Sequence, residues 1–148
     1  MIFNSSMSYN TIYEILKGWK GEYLDVSEKE LRQLAKNKDY KIRVNVANHP
    51  NLPKDLEKQL SVDKSITVRK AIAYNTSTSK GTLEQLIEKN KETVLCWIAL
   101  NHRLTMDIAI KLLITNIPLV VSIILKERKL GEQIIDYLNK WRDDIDAF

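Results

Sequence analysis

One phrase is written three times in this chain, at a fixed spacing of 26 residues. IRVNVANHP at 42–50 returns as VRKAIAYNT at 68–76 and, more degraded, as VLCWIALNH at 94–102. A period of that size limits the fold strongly, because each repeat is then one brick that buries its apolar face against the next. Extending the 26-residue step aligns further columns. Ile42, Val68, Val94 and Val120 share one, and Val46, Ile72, Ile98 and Ile124 share the next. Ala47, Ala73 and Ala99 form a third, which breaks to Leu125. Leu34, Leu60, Leu86, Leu112 and Leu138 form a fourth, and Ser27, Pro53, Ser79, Thr105 and Gly131 a fifth.

Within a unit the spacings are helical. Leu31, Leu34 and Ala35 make an i, i+3, i+4 stripe, and Leu83, Leu86 and Ile87 repeat it, as do Ile108, Leu112 and Leu113. The Ser27 column marks where this first helix begins: Ser and Thr cap free backbone N–H groups, and Pro suits the first turn. Ser27 and Glu30 have capping-box spacing. The second helix carries the repeated phrase, and the alanine column predicts a close approach by the next helix. Pieces of about ten residues do not hold a helix in water by themselves, so they must stack. The prediction is an all-α solenoid of about five 26-residue, two-helix repeats in a single domain spanning 1–148. Residues 1–26 form its N-terminal cap, 27–130 four repeats and 131–148 a C-terminal capping helix. In the first cap, residues 8–19 read as a helix, with Thr11 and Glu14 at capping-box spacing and Ile12, Ile15, Leu16 and Trp19 apolar. In the last, Ile134, Ile135, Leu138 and Trp141 fall on one side.

The segments LRQLAKNKDYKIRVNVANHPNLP and LEKQLSVDKSITVRKAIAYNTSTS resemble the leucine-rich repeat variant family, whose units run roughly Leu-x-x-Leu-Ala, then Val-Arg, then Val-Ala-x-Asn-Pro. They are also similar to the broader HEAT-like helical repeats. The match is good over 27–79, fair over 80–105 and weak beyond, where Arg43 and Arg69 give way to Leu95 and Val121. The resemblance implies a right-handed superhelix whose second helices line a concave surface, with one helix of each pair open to 3₁₀ geometry. It also implies a binding role. Some members of the family hold an iron–sulfur cluster on a group of cysteines. This chain has Cys96 alone, so no cofactor is expected.

Function is legible only as a class. Arg43 and Arg69 recur at a fixed place in the repeat, which suits a structural pairing with Asp39 or Asp63. Asn75, Asn101 and His49 share a column directly after the second helix, where side chains stabilise turns. His49 and His102 have no ligand partner at metal spacing. Neither a Gly-rich phosphate loop nor a nucleophile–base arrangement is present, so an enzyme is not expected. With 44% apolar and 28% charged residues, a formal charge of +4, no secretory-type start and no long apolar run, the chain reads as a cytoplasmic soluble protein.

The columns that point outward from the second helices contain Lys41, Asn45, Asn48, Lys70, Tyr74, Trp97, Leu100 and Lys126. They run from polar and basic to aromatic and apolar, and aromatics flanked by cations anchor protein interfaces. The leading expectation is a non-catalytic adaptor that uses this concave face to bind a protein or peptide. The alternative is a nucleic-acid-binding module, based on the basic balance of residues 29–70 and a fold-level similarity to HEAT-like DNA alkylation-repair glycosylases. None of the catalytic residues of those enzymes can be placed here.

Overall fold

The computed structural model describes residues 26–126 and 128–146. Among the described residues there is no strand, and nine α-helices follow one another. They are α1 (Glu28–Leu34), α2 (Tyr40–Ala47), α3 (Lys54–Ser61), α4 (Ile66–Tyr74) and α5 (Lys80–Lys89). After these come α6 (Glu92–Ala99), α7 (Met106–Ile114), α8 (Pro118–Lys126) and α9 (Arg128–Asp146). The expected helix at 8–19, with its Thr11–Glu14 box, lies outside the described residues. No 3₁₀ helix occurs among the described residues, so the second helix of each unit is α there.

The chain starts α1, α3, α5 and α7 where the punctuation column places them. Ser27, Pro53, Ser79 and Thr105 are the N-caps of α1, α3, α5 and α7. At Ser27 the capping box closes: the Glu30 amide donates to Ser27 Oγ at 3.3 Å, and the Ser27 amide donates to Glu30 Oε2 at 2.8 Å. The fifth member of the column behaves differently. Gly131 lies inside α9, which already begins at Arg128, so the capping helix starts before the expected boundary at 131. Between α7 and α8 the turn passes through Asn116 at φ 53°, a left-handed conformation that Asn tolerates better than most side chains.

Two kinds of contact join the helices. Each packs on its successor, and each of the later ones also packs on the helix two places along. In the even row α2 meets α4, α4 meets α6 and α6 meets α8; in the odd row α3 meets α5, α5 meets α7 and α7 meets α9. The core lies between the rows and consists of the apolar columns. Ile42, Val68, Val94 and Val120 are buried, as are Val46, Ile72, Ile98 and Ile124. Ala47, Ala73 and Ala99 are buried at the even-row contacts, where a larger side chain would hold the next helix away. Leu125 breaks that column at α8 and is exposed. Leu34, Leu60, Leu86 and Leu112 are buried, but Leu138 is 49% exposed and Ile135 57%. The leucine column is therefore core over four units and surface in the fifth, because no described helix beyond α9 covers it.

Candidate functional site

Polar side chains first have to be divided into those that hold the stack together and those left for a partner. Arg43 belongs to the first group. It is buried on α2, and its Nε and Nη2 donate to Asp63 Oδ2 and Oδ1 at 2.7 and 2.9 Å. Its Nη1 donates to the carbonyls of Asn37 and Lys38 at 2.7 and 3.0 Å. Arg69 repeats the arrangement one unit later, with Nη1 on the carbonyls of Asp63 and Lys64 and Nε on Asn90 Oδ1 at 2.9 Å. Burial pushes the Asp63 carboxyl up, but hydrogen bonds from Arg43 and the Ser65 amide outweigh this and hold it below the usual aspartate range. Of the two acids expected for Arg43, Asp63 makes the contact. Asp39 instead caps α2 through the Lys41 amide.

The asparagine column does more than stabilise its own turn. Asn75 Oδ1 accepts from the Ser77 amide at 2.9 Å, which is the expected turn bond. Its Nδ2 reaches back one unit and donates to the carbonyls of Ala47 and His49 at 2.8 and 3.0 Å. Asn101 does the same, accepting from the Arg103 amide and donating to the carbonyls of Ala73 and Asn75 at 2.9 and 3.2 Å. His49 fills the column in the preceding unit, and its Nδ1 takes the amide of Asn51 at 3.2 Å. Burial pushes the His49 ring below the usual histidine range.

Glu57 was not singled out by the sequence reading. It is 1% exposed on α3, where its column otherwise holds Leu31, Leu83 and Ala109. A carboxylate in an apolar column is the signal that would have found it. Glu57 Oε1 accepts the Ser79 amide at 3.0 Å and the Ser79 hydroxyl at 2.5 Å, so it caps the start of α5 from another helix. Its Oε2 accepts from Lys54 Nζ at 2.8 Å. Burial pushes this carboxyl up, yet the hydrogen bonds from Lys54, Ser79 and Thr82 hold it below the usual glutamate range.

The outer surface of the odd row is laced by ion pairs between helices. Arg32 on α1 pairs with Asp55 on α3, Lys80 on α5 with Asp107 on α7 at 2.5 Å, and Lys111 on α7 with Glu84 on α5 at 2.8 Å. The even row has another character. All eight expected contact residues lie on its helices or their C-caps: Lys41, Asn45 and Asn48 with α2, Lys70 and Tyr74 on α4, Trp97 and Leu100 with α6, and Lys126 at the end of α8. Tyr74 and Trp97 meet edge to face, ring centres 5.4 Å apart and planes at 85°. The Tyr74 hydroxyl shares a 3.2 Å hydrogen bond with His102 Nε2, a neighbour the sequence reading left out. Tyr74 stays 37% exposed and Leu100 46%, while Trp97 is half-buried against the core. Lys41, Asn48 and Lys126 are exposed, and Asn45 and Lys70 are half-buried. Among the described residues neither Lys70 nor Lys126 forms an ion pair. Cys96 is half-buried beside Trp97, and burial together with Glu92 pushes its thiol up, away from the reactive thiolate.

Among the described residues no cluster of His, Cys, Asp and Glu is placed to hold a metal ion, and no helix is long and apolar enough to cross a membrane. No protein family model, curated protein or solved structure matches the chain.

Proposed function

We propose that this chain is a non-catalytic helical-repeat module of the leucine-rich repeat variant or HEAT-like kind, a solenoid whose even row binds a protein or peptide. The observation that carries this reading is the Tyr74–Trp97 pair, partly open to solvent and steadied by His102, with Leu100 nearby in the Tyr74 column. Large rings held rigid before binding lose little freedom when a partner covers them. Lys70 and Lys126 supply cationic flanks, while Arg32, Lys80 and Lys111 of the odd row are engaged in helix-to-helix pairs. The buried polar groups Arg43, Asp63, Glu57, Asn75 and Asn101 are engaged in joining helices, which supports a scaffold rather than a catalyst. A cytoplasmic location belongs to the same reading.

Affinity capture followed by titration tests it. Trp97→Ala should weaken partner binding about thirtyfold or more, the effect of losing an aromatic anchor, while Lys41→Ala changes it little. Helicity and melting temperature are measured on the same variant, because Trp97 also touches the core. If a folded Trp97→Ala protein binds normally, while reversing the charges of Lys41 and Lys70 abolishes binding, the surface works electrostatically. A mobility-shift titration then decides for nucleic acid, whose binding falls by about one log unit per log unit of salt for each phosphate contact.

A further inference from the structure

The turn between α5 and α6 breaks a pattern that the turn between α3 and α4 keeps. Arg43 is neutralised by Asp63, whose carboxylate takes its Nε and Nη2 at 2.7 and 2.9 Å. One unit later Arg69 stands in the Arg43 column, but the column of Asp63 holds Lys89. Arg69 is half-buried on α4, and its Nη1 keeps the two backbone carbonyls of the pattern. Its Nε falls to a neutral acceptor, Asn90 Oδ1, at 2.9 Å. Among the described residues Nη2 has no partner, and no acid pairs with this guanidinium. A cation held by neutral acceptors alone lacks the stronger, charge-assisted bonds that Arg43 receives.

The surroundings add positive charge instead of offsetting it. Lys64, whose carbonyl accepts from Arg69, is exposed, and so are Lys89 and Lys91 on either side of Asn90. None of these three lysines forms an ion pair among the described residues. Across 63–70 and 88–92 five cations stand against three acids, Asp63, Glu88 and Glu92, and Asp63 is already engaged by Arg43. We propose that this turn is an anion site, in which a phosphate monoester takes the place at Arg69 Nη2 that the Asp63 carboxylate takes at Arg43 Nη2. The excess of cations favours a dianion over a carboxylate. A monoester carries about −1.5 to −2 charges at pH 7 and offers three acceptor oxygens to Arg69 and the lysines. Tyr74 ends α4 more than a helical turn beyond Arg69, so the anion site does not rest on the aromatic pair.

Titration of the full chain with methyl phosphate at low salt, followed by amide NMR, tests the assignment. The shifts should saturate and be confined to 63–70 and 88–93. Dimethyl phosphate and acetate, each with a single charge, should bind about tenfold more weakly, the loss expected for one charge-assisted hydrogen bond. Asn90→Asp places a carboxylate on Arg69 from within the chain and should weaken methyl phosphate by about the same tenfold factor. Lys58→Gln changes the net charge equally at an exposed, unpaired lysine of α3 and should leave binding unaltered, as should Trp97→Ala. Lys89→Gln, at an exposed side chain, gives a second reading should Asn90→Asp fail to fold, and it too should weaken binding. A short phosphoserine peptide separates the two sources of a monoester. Tighter binding than methyl phosphate assigns the site to a phosphorylated partner, and equal affinity to a small molecule. Shifts that never saturate or that spread over all the surface lysines overturn the proposal. So does equal affinity for acetate or dimethyl phosphate, or a folded Asn90→Asp or Lys89→Gln protein that binds as before.

Discussion

A single amide group at Asn75 closes one turn and fastens it to the turn before. Removing it leaves buried carbonyls at Ala47 and His49 without that donor and the Ser77 amide without its acceptor. Asn75→Ala should therefore destabilise the fold by about 2 kcal/mol or more, since each buried polar group left unsatisfied costs about 1–3. Chemical denaturation measures this, and Asn75→Asp should be worse, because it turns a two-hydrogen donor into an acceptor facing carbonyls. His49 makes the corresponding turn bond with a ring nitrogen that has to stay unprotonated to accept. Its folded pKa is depressed, so the unfolded chain takes up the proton first. The His49 contribution is complete above about pH 6.5 and is lost as pH falls through the folded value. His49→Asn, which restores the column residue, should abolish the stability change between about pH 7 and 5 while the turn survives. An unchanged pH profile in that variant would show that His49 is not the group responsible.

At the scale of the helix, the apolar columns were readable because a buried stripe leaves a periodic trace in the sequence. Leu86→Ala, in the middle of the buried leucines, should cost roughly 2–5 kcal/mol in an unfolding titration, and a loss below about 1 kcal/mol would mean the site tolerates a cavity. Other features left no trace of that kind. Asn75 and Asn101 could be assigned to their own turns, but the groups they reach in the previous unit are backbone carbonyls, which every residue type possesses. Leu138 fits its column perfectly and is still exposed, because periodicity reports spacing and not the presence of a neighbour. The tyrosine and tryptophan columns were legible as an outward face, whereas the edge-to-face meeting of Tyr74 with Trp97 and the His102 bond depend on how two units dock. Glu57 links α3 to α5, and its effect is acidic. Its folded pKa is lowered, so its stabilisation is present above about pH 4.5 and is lost as pH falls through the folded value. Glu57→Gln should flatten the melting-temperature profile below about pH 4.5, at the cost of a weaker Lys54 and Ser79 contact at neutral pH.

For the whole molecule, the asparagine bonds between units obey the 26-residue step, and this makes the chain extensible. Consider a second copy of residues 53–78 spliced in after Thr78. Its asparagine would take the turn carbonyls that Asn101 now holds, and Asn101 would take those of the copy. Arg69 would meet the new aspartate as Arg43 meets Asp63, while the copied arginine would inherit Asn90. The contacts of Glu57 fail to transfer. Glu57 would face a proline in place of Ser79 and a leucine in place of Thr82, without the amide or the hydroxyls it requires. Replacing that proline with serine should recover most of the melting temperature that the uncorrected duplication loses, the rest being the missing Thr82 contact. The molecule can thus be treated as a ruler whose length is edited in whole divisions, with one graduation mark to be redrawn at the splice.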